Sequence, residues 1–166
     1  MRFLKRLLAQ REQRACIEGL YGENRTVMIV SPLSGEYDTL RVLSILEGWH
    51  LRIARTLEAA LELRRREEIA VIVYDQDLPG IGWRKGVLAL LRDFPPACLV
   101  LLSSVVQEGL RLRVVVDGGY DVAGKPIQGE ALVSIVNGFF ALASDINSSW
   151  ADPQNGVPVR SRRRLT

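Results

Sequence analysis

Residues 69–80 read Ile69-Ala70-Val71-Ile72-Val73-Tyr74-Asp75-Gln76-Asp77-Leu78-Pro79-Gly80. Six residues without a charge, most of them β-branched or aromatic, end abruptly in a carboxylate. A run that is apolar on both alternating faces suits a strand covered by helices on both sides, as in a parallel sheet. Pro79-Gly80 then turns the chain.

The same pattern recurs on either side. Residues 26–31 (TVMIVS) and 98–102 (CLVLL) are short apolar runs. Residues 51–55 form a weaker strand candidate, with Leu51 and Ile53 on one face, and residues 120–124 follow Gly118-Gly119 as a fifth. Between them lie helical patterns. Residues 36–48 place Leu40, Leu43 and Leu46 at helical spacing. Thr56 is a good N-cap for 57–68, where Leu57, Ala60 and Leu61 share a face. Residues 83–94 are stopped by Pro95-Pro96. Residues 105–115 are the poorest helix, with β-branched clusters around Gly109. Residues 128–142 carry Leu132, Ile135, Val136 and Phe139 on one face. Strands alternating with helices over residues 26–143 predict an α/β domain with a single five-stranded parallel sheet and helices on both faces. In such sheets ligands sit at the carboxyl ends of the strands.

Charge divides the 166 residues differently. The net charge is +3, from 19 Arg and 3 Lys against 19 acidic residues. Residues 1–25 carry +3, residues 144–166 carry +2, and residues 26–143 carry −2. The basic balance belongs to the ends, which argues against a nucleic-acid groove on the folded body. Residues 2–20 can form a basic amphipathic helix with Leu4, Leu7, Leu8 and Arg11 adjacent, and 144–166 reads as a disordered basic tail. No output domain is expected in the two dozen residues after the last helix.

The small counts exclude more. The lone histidine, His50, removes His-rich metal sites. Cys16 and Cys98 match no C-x-x-C pattern. No apolar run approaches membrane-spanning length, and charges interrupt the N-terminus too often for a signal peptide. A cytoplasmic protein is expected.

The chemistry gathers at the strand ends. The third strand ends in Asp75, the fourth in Ser103-Ser104, and the fifth is followed by Lys125-Pro126. A carboxylate can attack phosphorus, a hydroxyl can bond a phosphoryl oxygen, and an ammonium can offset its charge. On these residues, residues 26–143 resemble the receiver domain of bacterial response regulators, a flavodoxin-like fold. Asp75 in D-x-x-L-P-G matches the phosphoacceptor motif, Ser103 the usual Ser or Thr, and Lys125-Pro126 the Lys-Pro pair, whose peptide bond is typically cis in that family. The resemblance implies phosphate acceptance from a histidine kinase with Mg²⁺, and signalling through a surface near the fourth helix and fifth strand.

The departures from the pattern are specific. Ser31 and Pro32 stand where the family has the two acidic residues that hold Mg²⁺, which needs an oxygen shell built partly of carboxylates. Asp75 is then the one metal ligand left, with Glu36 and Asp77 close in sequence. Val122 stands where the family carries its aromatic switch residue, and Tyr120 is at a different position. The expectation is a pseudo-receiver without cofactor, not an enzyme, acting through a protein partner (a histidine kinase or a downstream effector) or as a homodimer. A conventional receiver phosphorylated on Asp75 is the alternative.

Two further readings stay open. Asp75-Gln76-Asp77 with Asp117 and Asp121 resembles the acidic set of haloacid-dehalogenase-type phosphatases, although Lys125 follows the late acids instead of preceding them. The terminal arginines suit a nucleic-acid-binding tail. Leu110, Leu112, Val114 and Val115 exceed what one buried face needs, so Leu110 and Leu112, with Val122, mark a candidate interface, unless that helix is misplaced and they are buried.

Overall fold

The computed structural model describes residues 24–150 apart from Leu33. Its strands are β1 (Thr26–Val30), β2 (His50–Ala54), β3 (Val71–Asp75), β4 (Cys98–Ser103) and β5 (Asp121–Gly124). Its helices are α1 (Ser34–Glu47), α2 (Leu57–Leu63), α3 (Trp83–Asp93), α4 (Glu108–Val116) and α5 (Gly129–Trp150). All strand pairs are parallel, in the order β2-β1-β3-β4-β5. The expected N-terminal helix over residues 2–20 and residues 151–166 of the expected tail lie outside the described residues.

The central strands explain the layering. No residue of β1, β3 or β4 is exposed, so both faces of the sheet need cover. On one face Tyr37 and Leu40 of α1 and Leu132, Val136 and Phe139 of α5 pack on Val27, Ile29, Val71, Val73 and Val100. On the other, Leu57 and Ala60 of α2, Val87 and Leu90 of α3 and Val114 of α4 pack on Met28, Val30, Ile72, Leu99 and Leu101. Right-handed crossovers give this division: the chain steps one way from β1 to β2 and the other way from β3 onward, so the connecting helices fall on opposite faces.

Local chemistry sets the element ends. The Thr56 hydroxyl accepts from Ala59 N–H at 3.1 Å and caps α2 as expected. Gly48 adopts φ +68°, a left-handed conformation that terminates α1. Three helix boundaries differ from the sequence reading by more than two residues. Helix α2 stops at Leu63, where the Arg64-Arg65-Arg66 run begins, instead of reaching residue 68. Helix α4 starts at Glu108 and not at 105, because Val105 is held in the loop by Ser103. Helix α5 runs on past Leu142 to Trp150, since the Asn and Ser residues there do not break a helix that is already propagating.

One close approach is decided by glycine. Tyr74 is fully buried, and a Cβ at position 86 would overlap its Oη and come within 2.6 Å of Cζ. Gly86→Ala should therefore destabilise the domain by about 2 kcal/mol in urea unfolding, although alanine is the better helix former. The Tyr74 hydroxyl itself has no hydrogen-bond partner. Tyr74→Phe should leave the urea midpoint unchanged or raise it, because an unsatisfied buried hydroxyl is removed.

Candidate functional site

The strand order reverses between β1 and β3, and the crevice at that point opens at the carboxyl ends of the strands. Asp75 is the last residue of β3 and Ser31 follows β1 directly, so parallel pairing places both side chains at this point. Lys125 arrives from the end of β5, where its N–H bonds to the Ser103 carbonyl at 2.9 Å. The Lys125–Pro126 peptide bond is cis.

The Asp75 carboxylate is fully buried and receives three hydrogen bonds. Lys125 Nζ donates to Oδ1 at 2.6 Å, the Asp77 N–H donates to the same oxygen at 2.9 Å, and Ser31 Oγ donates to Oδ2 at 2.8 Å. Lys125 Nζ also donates to Asp77 Oδ2 at 2.6 Å. Buried charge is tolerated when it is paired and hydrogen-bonded; here Lys125 supplies the pairing and each oxygen of Asp75 accepts at least one hydrogen bond. Burial pulls the Lys125 ammonium down, but its bonds to Asp75 and Asp77, with their charges, outweigh that and leave it raised. Burial pushes the neighbouring Tyr74 hydroxyl up to about 12, with the Asp75 charge adding to the effect.

The remaining expected residues are placed differently. Ser103 is buried at the end of β4, but its hydroxyl donates to the Val105 carbonyl at 2.9 Å and accepts from the Val105 N–H at 3.1 Å. It is spent on its own loop, not on Asp75. Pro32 is exposed. Glu36 is buried in the first turn of α1 and accepts from the Ile127 N–H at 3.2 Å, tying α1 to the loop after Pro126. His50 is exposed at the start of β2, at the far end of the sheet.

The residues that surround Asp75 do not fit a magnesium ion. The position that would supply a first carboxylate holds a hydroxyl already donated to Asp75, and the next holds Pro32, which has no side-chain oxygen. The carboxylates of Asp75 and Asp77 share one ammonium. Among the described residues no three His, Cys, Asp or Glu side chains converge.

Two neighbours escaped the sequence reading. The Tyr37 hydroxyl donates to the Ser31 carbonyl, and the Arg55 guanidinium lies 5.9 Å over the Tyr37 ring. Burial raises the Tyr37 pKa, and Arg55 partly opposes it. Neither contact has a sequence signal, since one partner is a backbone carbonyl and the other a ring face.

The candidate interface does not assemble as expected. Val122 is buried in the layer under α3 and α4, because strand alternation points it inward beside Val87 and Val114. Leu110 is half-buried and Val114 fully buried; Leu112 alone of the predicted residues is exposed, at 57%. Tyr120 stacks edge-on against Phe139 on the opposite face. The carboxylates of the phosphatase-like reading are also elsewhere: Asp117 pairs with Arg84 and Asp121, at the beginning of β5, with Arg111.

No family model and no curated protein matches this sequence. Solved structures match the fold. A response regulator from Thermotoga maritima aligns with TM-score 0.65 and 22% identity, over 71% of this chain and 98% of its own. A response regulator protein from Burkholderia pseudomallei, with a phosphorylated aspartic acid, calcium ion and citrate, aligns with TM-score 0.62 and 20% identity over 82% and 78%. In a co-crystal from Saccharomyces cerevisiae, a receiver domain sits with a histidine phosphotransfer signalling protein; that structure aligns with TM-score 0.65 and 16% identity over 73% and 92%. The fold of this chain is the receiver fold. Among the described residues no helix is long and apolar enough to cross a membrane.

The charge cluster makes two predictions. Lys125→Met leaves Asp75 buried without its cation and should cost about 3 kcal/mol, whereas Asp75→Asn combined with Lys125→Met should cost clearly less than the two single changes together in urea unfolding. Burial holds Tyr74 un-ionised in the folded state, so above about pH 10 the unfolded chain loses that proton first and stability falls as pH climbs toward 12; the raised Lys125 value acts in the same direction, its ion pairs being lost as the ammonium deprotonates. Urea midpoints at pH 8, 10 and 11.5 should fall across the last interval.

Proposed function

We propose that this chain is a receiver-type signalling module of a two-component or phosphorelay pathway that works by protein contact, without catalysis or phosphorylation: a pseudo-receiver. The observation that carries the reading is the closed network on Asp75. Ser31 Oγ, Lys125 Nζ and the Asp77 N–H occupy the carboxylate, and the two positions after β1 supply no acid. An incoming phosphoryl group would meet two carboxylates, one ammonium and no divalent cation, and would have to displace the bonds that already stabilise Asp75.

The partner is a protein, a kinase or a downstream effector, met in the cytoplasm. The slightly acidic body favours this over nucleic acid. The solved receiver bound to a phosphotransfer protein supplies the precedent for a protein partner. The output does not run through the usual pair of switch residues. The Ser103 hydroxyl is committed to Val105, and Val122 is a buried aliphatic that has no ring to move.

Phosphate analogues test the reading. Beryllofluoride or acetyl phosphate with millimolar Mg²⁺ should give no Asp75-dependent spectral or mass change in the wild-type chain. Replacing Ser31 and Pro32 together by Asp should create Mg²⁺ binding that is visible by titration calorimetry, since carboxylates would then line the crevice. An adduct on the wild-type chain that disappears in Asp75→Asn would overturn the pseudo-receiver assignment and leave a conventional receiver.

A further inference from the structure

Helix α1 has more apolar surface than the domain covers. Its inner face packs Tyr37 and Leu40 into the core, and Leu43 reaches Gly129 of α5. Yet Val42 is 58% exposed, Ile45 81% and Leu46 72%. Leu46, expected on the inner face, points outward. A surface helix needs one apolar face, and this one carries a second near its C-terminal end.

The described chain begins beside that end. The Arg25 guanidinium donates to the carbonyl of Glu47, the last residue of α1, at 3.2 Å and lies 5.2 Å over the Phe140 ring of α5. The backbone is fixed there too, because His50 N–H donates to the Arg25 carbonyl at 2.9 Å. The 23 residues before Asn24 therefore leave the domain at the end of the sheet where α1 terminates, with the Asn24 side-chain amide donating to the Glu68 carbonyl at 2.8 Å. Their sequence places Leu4, Leu7 and Leu8 at helical spacing, and Gly19 and Gly22 supply turn residues just before the domain. Residues 2–17 as a helix would span about 24 Å, and α1, with its 14 residues, spans about 21 Å. Tethering within one chain also gives this segment a far higher effective concentration than any separate partner has.

We infer that the N-terminal segment, residues 2–17, docks on the outer face of α1 and covers Val42, Ile45 and Leu46. The inference is independent of whether Asp75 takes phosphate. It gives the basic extension a place on the domain.

Hydrogen–deuterium exchange on the full chain tests it. Amides in residues 2–17 should be protected about tenfold or more, equally at low and high protein concentration, and the protection should vanish in Ile45→Glu/Leu46→Glu. Both residues are exposed, so protection in β1, β3 and β4 should survive and report that the variant is folded. Leu4→Glu/Leu7→Glu, which alters the segment alone, should raise binding of an apolar dye and expose α1 amides. An unprotected segment, protection that persists in the α1 variant, or protection that appears only at high concentration with a doubled mass would each overturn the inference; the last would assign the stripe to a second copy of the chain.

Discussion

Three strands with no exposed residue run side by side in the middle of this domain, and every other feature accommodates them. A strand buried on both faces has no polar side to offer water, so helices must cover it above and below. Parallel pairing then requires a crossover between consecutive strands, and the fixed hand of these sends α1 to one face and α2, α3 and α4 to the other, while α5, after the last strand, packs beside α1. Since the sheet grows outward in both directions from β1 and β3, the crevice between the two strand ends is left open. Whatever polar residues end the strands meet there.

What meets there is one buried carboxylate with three donors. Asp75 has no access to solvent, so its charge must be satisfied by the protein. Lys125 supplies the counter-charge, Ser31 and the Asp77 N–H supply the remaining bonds, and Asp77 shares the ammonium from the solvent side. The neighbouring groups bond elsewhere: Glu36 ties α1 to the loop after Pro126, and Ser103 ties down the start of the β4–α4 loop. Each fixes a loop in place. The arrangement resembles a site built for phosphoryl chemistry in its outline, and a static ion-pair cluster in its bonding.

The surface tells a separate story. The aliphatic surplus predicted in the fourth helical stretch is divided by the fold, with Val114 and Val122 turned inward and Leu112 outward. The larger unpaired apolar stripe is on α1, where the spacing of Leu40, Leu43 and Leu46 had suggested a single inner face. A leucine three residues after another drifts around the helix, and by the third repeat Leu46 has rotated away from the sheet.

The sequence alone determined the order of strands and helices, the parallel sheet and the identity of the strand-end residues, because two-sided burial and helical spacing are written in local pattern. It also fixed what is missing at Ser31 and Pro32, since no conformation gives them carboxylates. Only the tertiary structure decided how those ends are bonded: that Ser103 turns to its own loop, that Glu36 reaches Ile127 91 residues away, that Tyr37 holds the Ser31 carbonyl, and that Val122 is core. These are contacts to backbone groups or between distant elements. Their geometry depends on how the helices settle on the sheet, and no spacing of residue types along the chain encodes it.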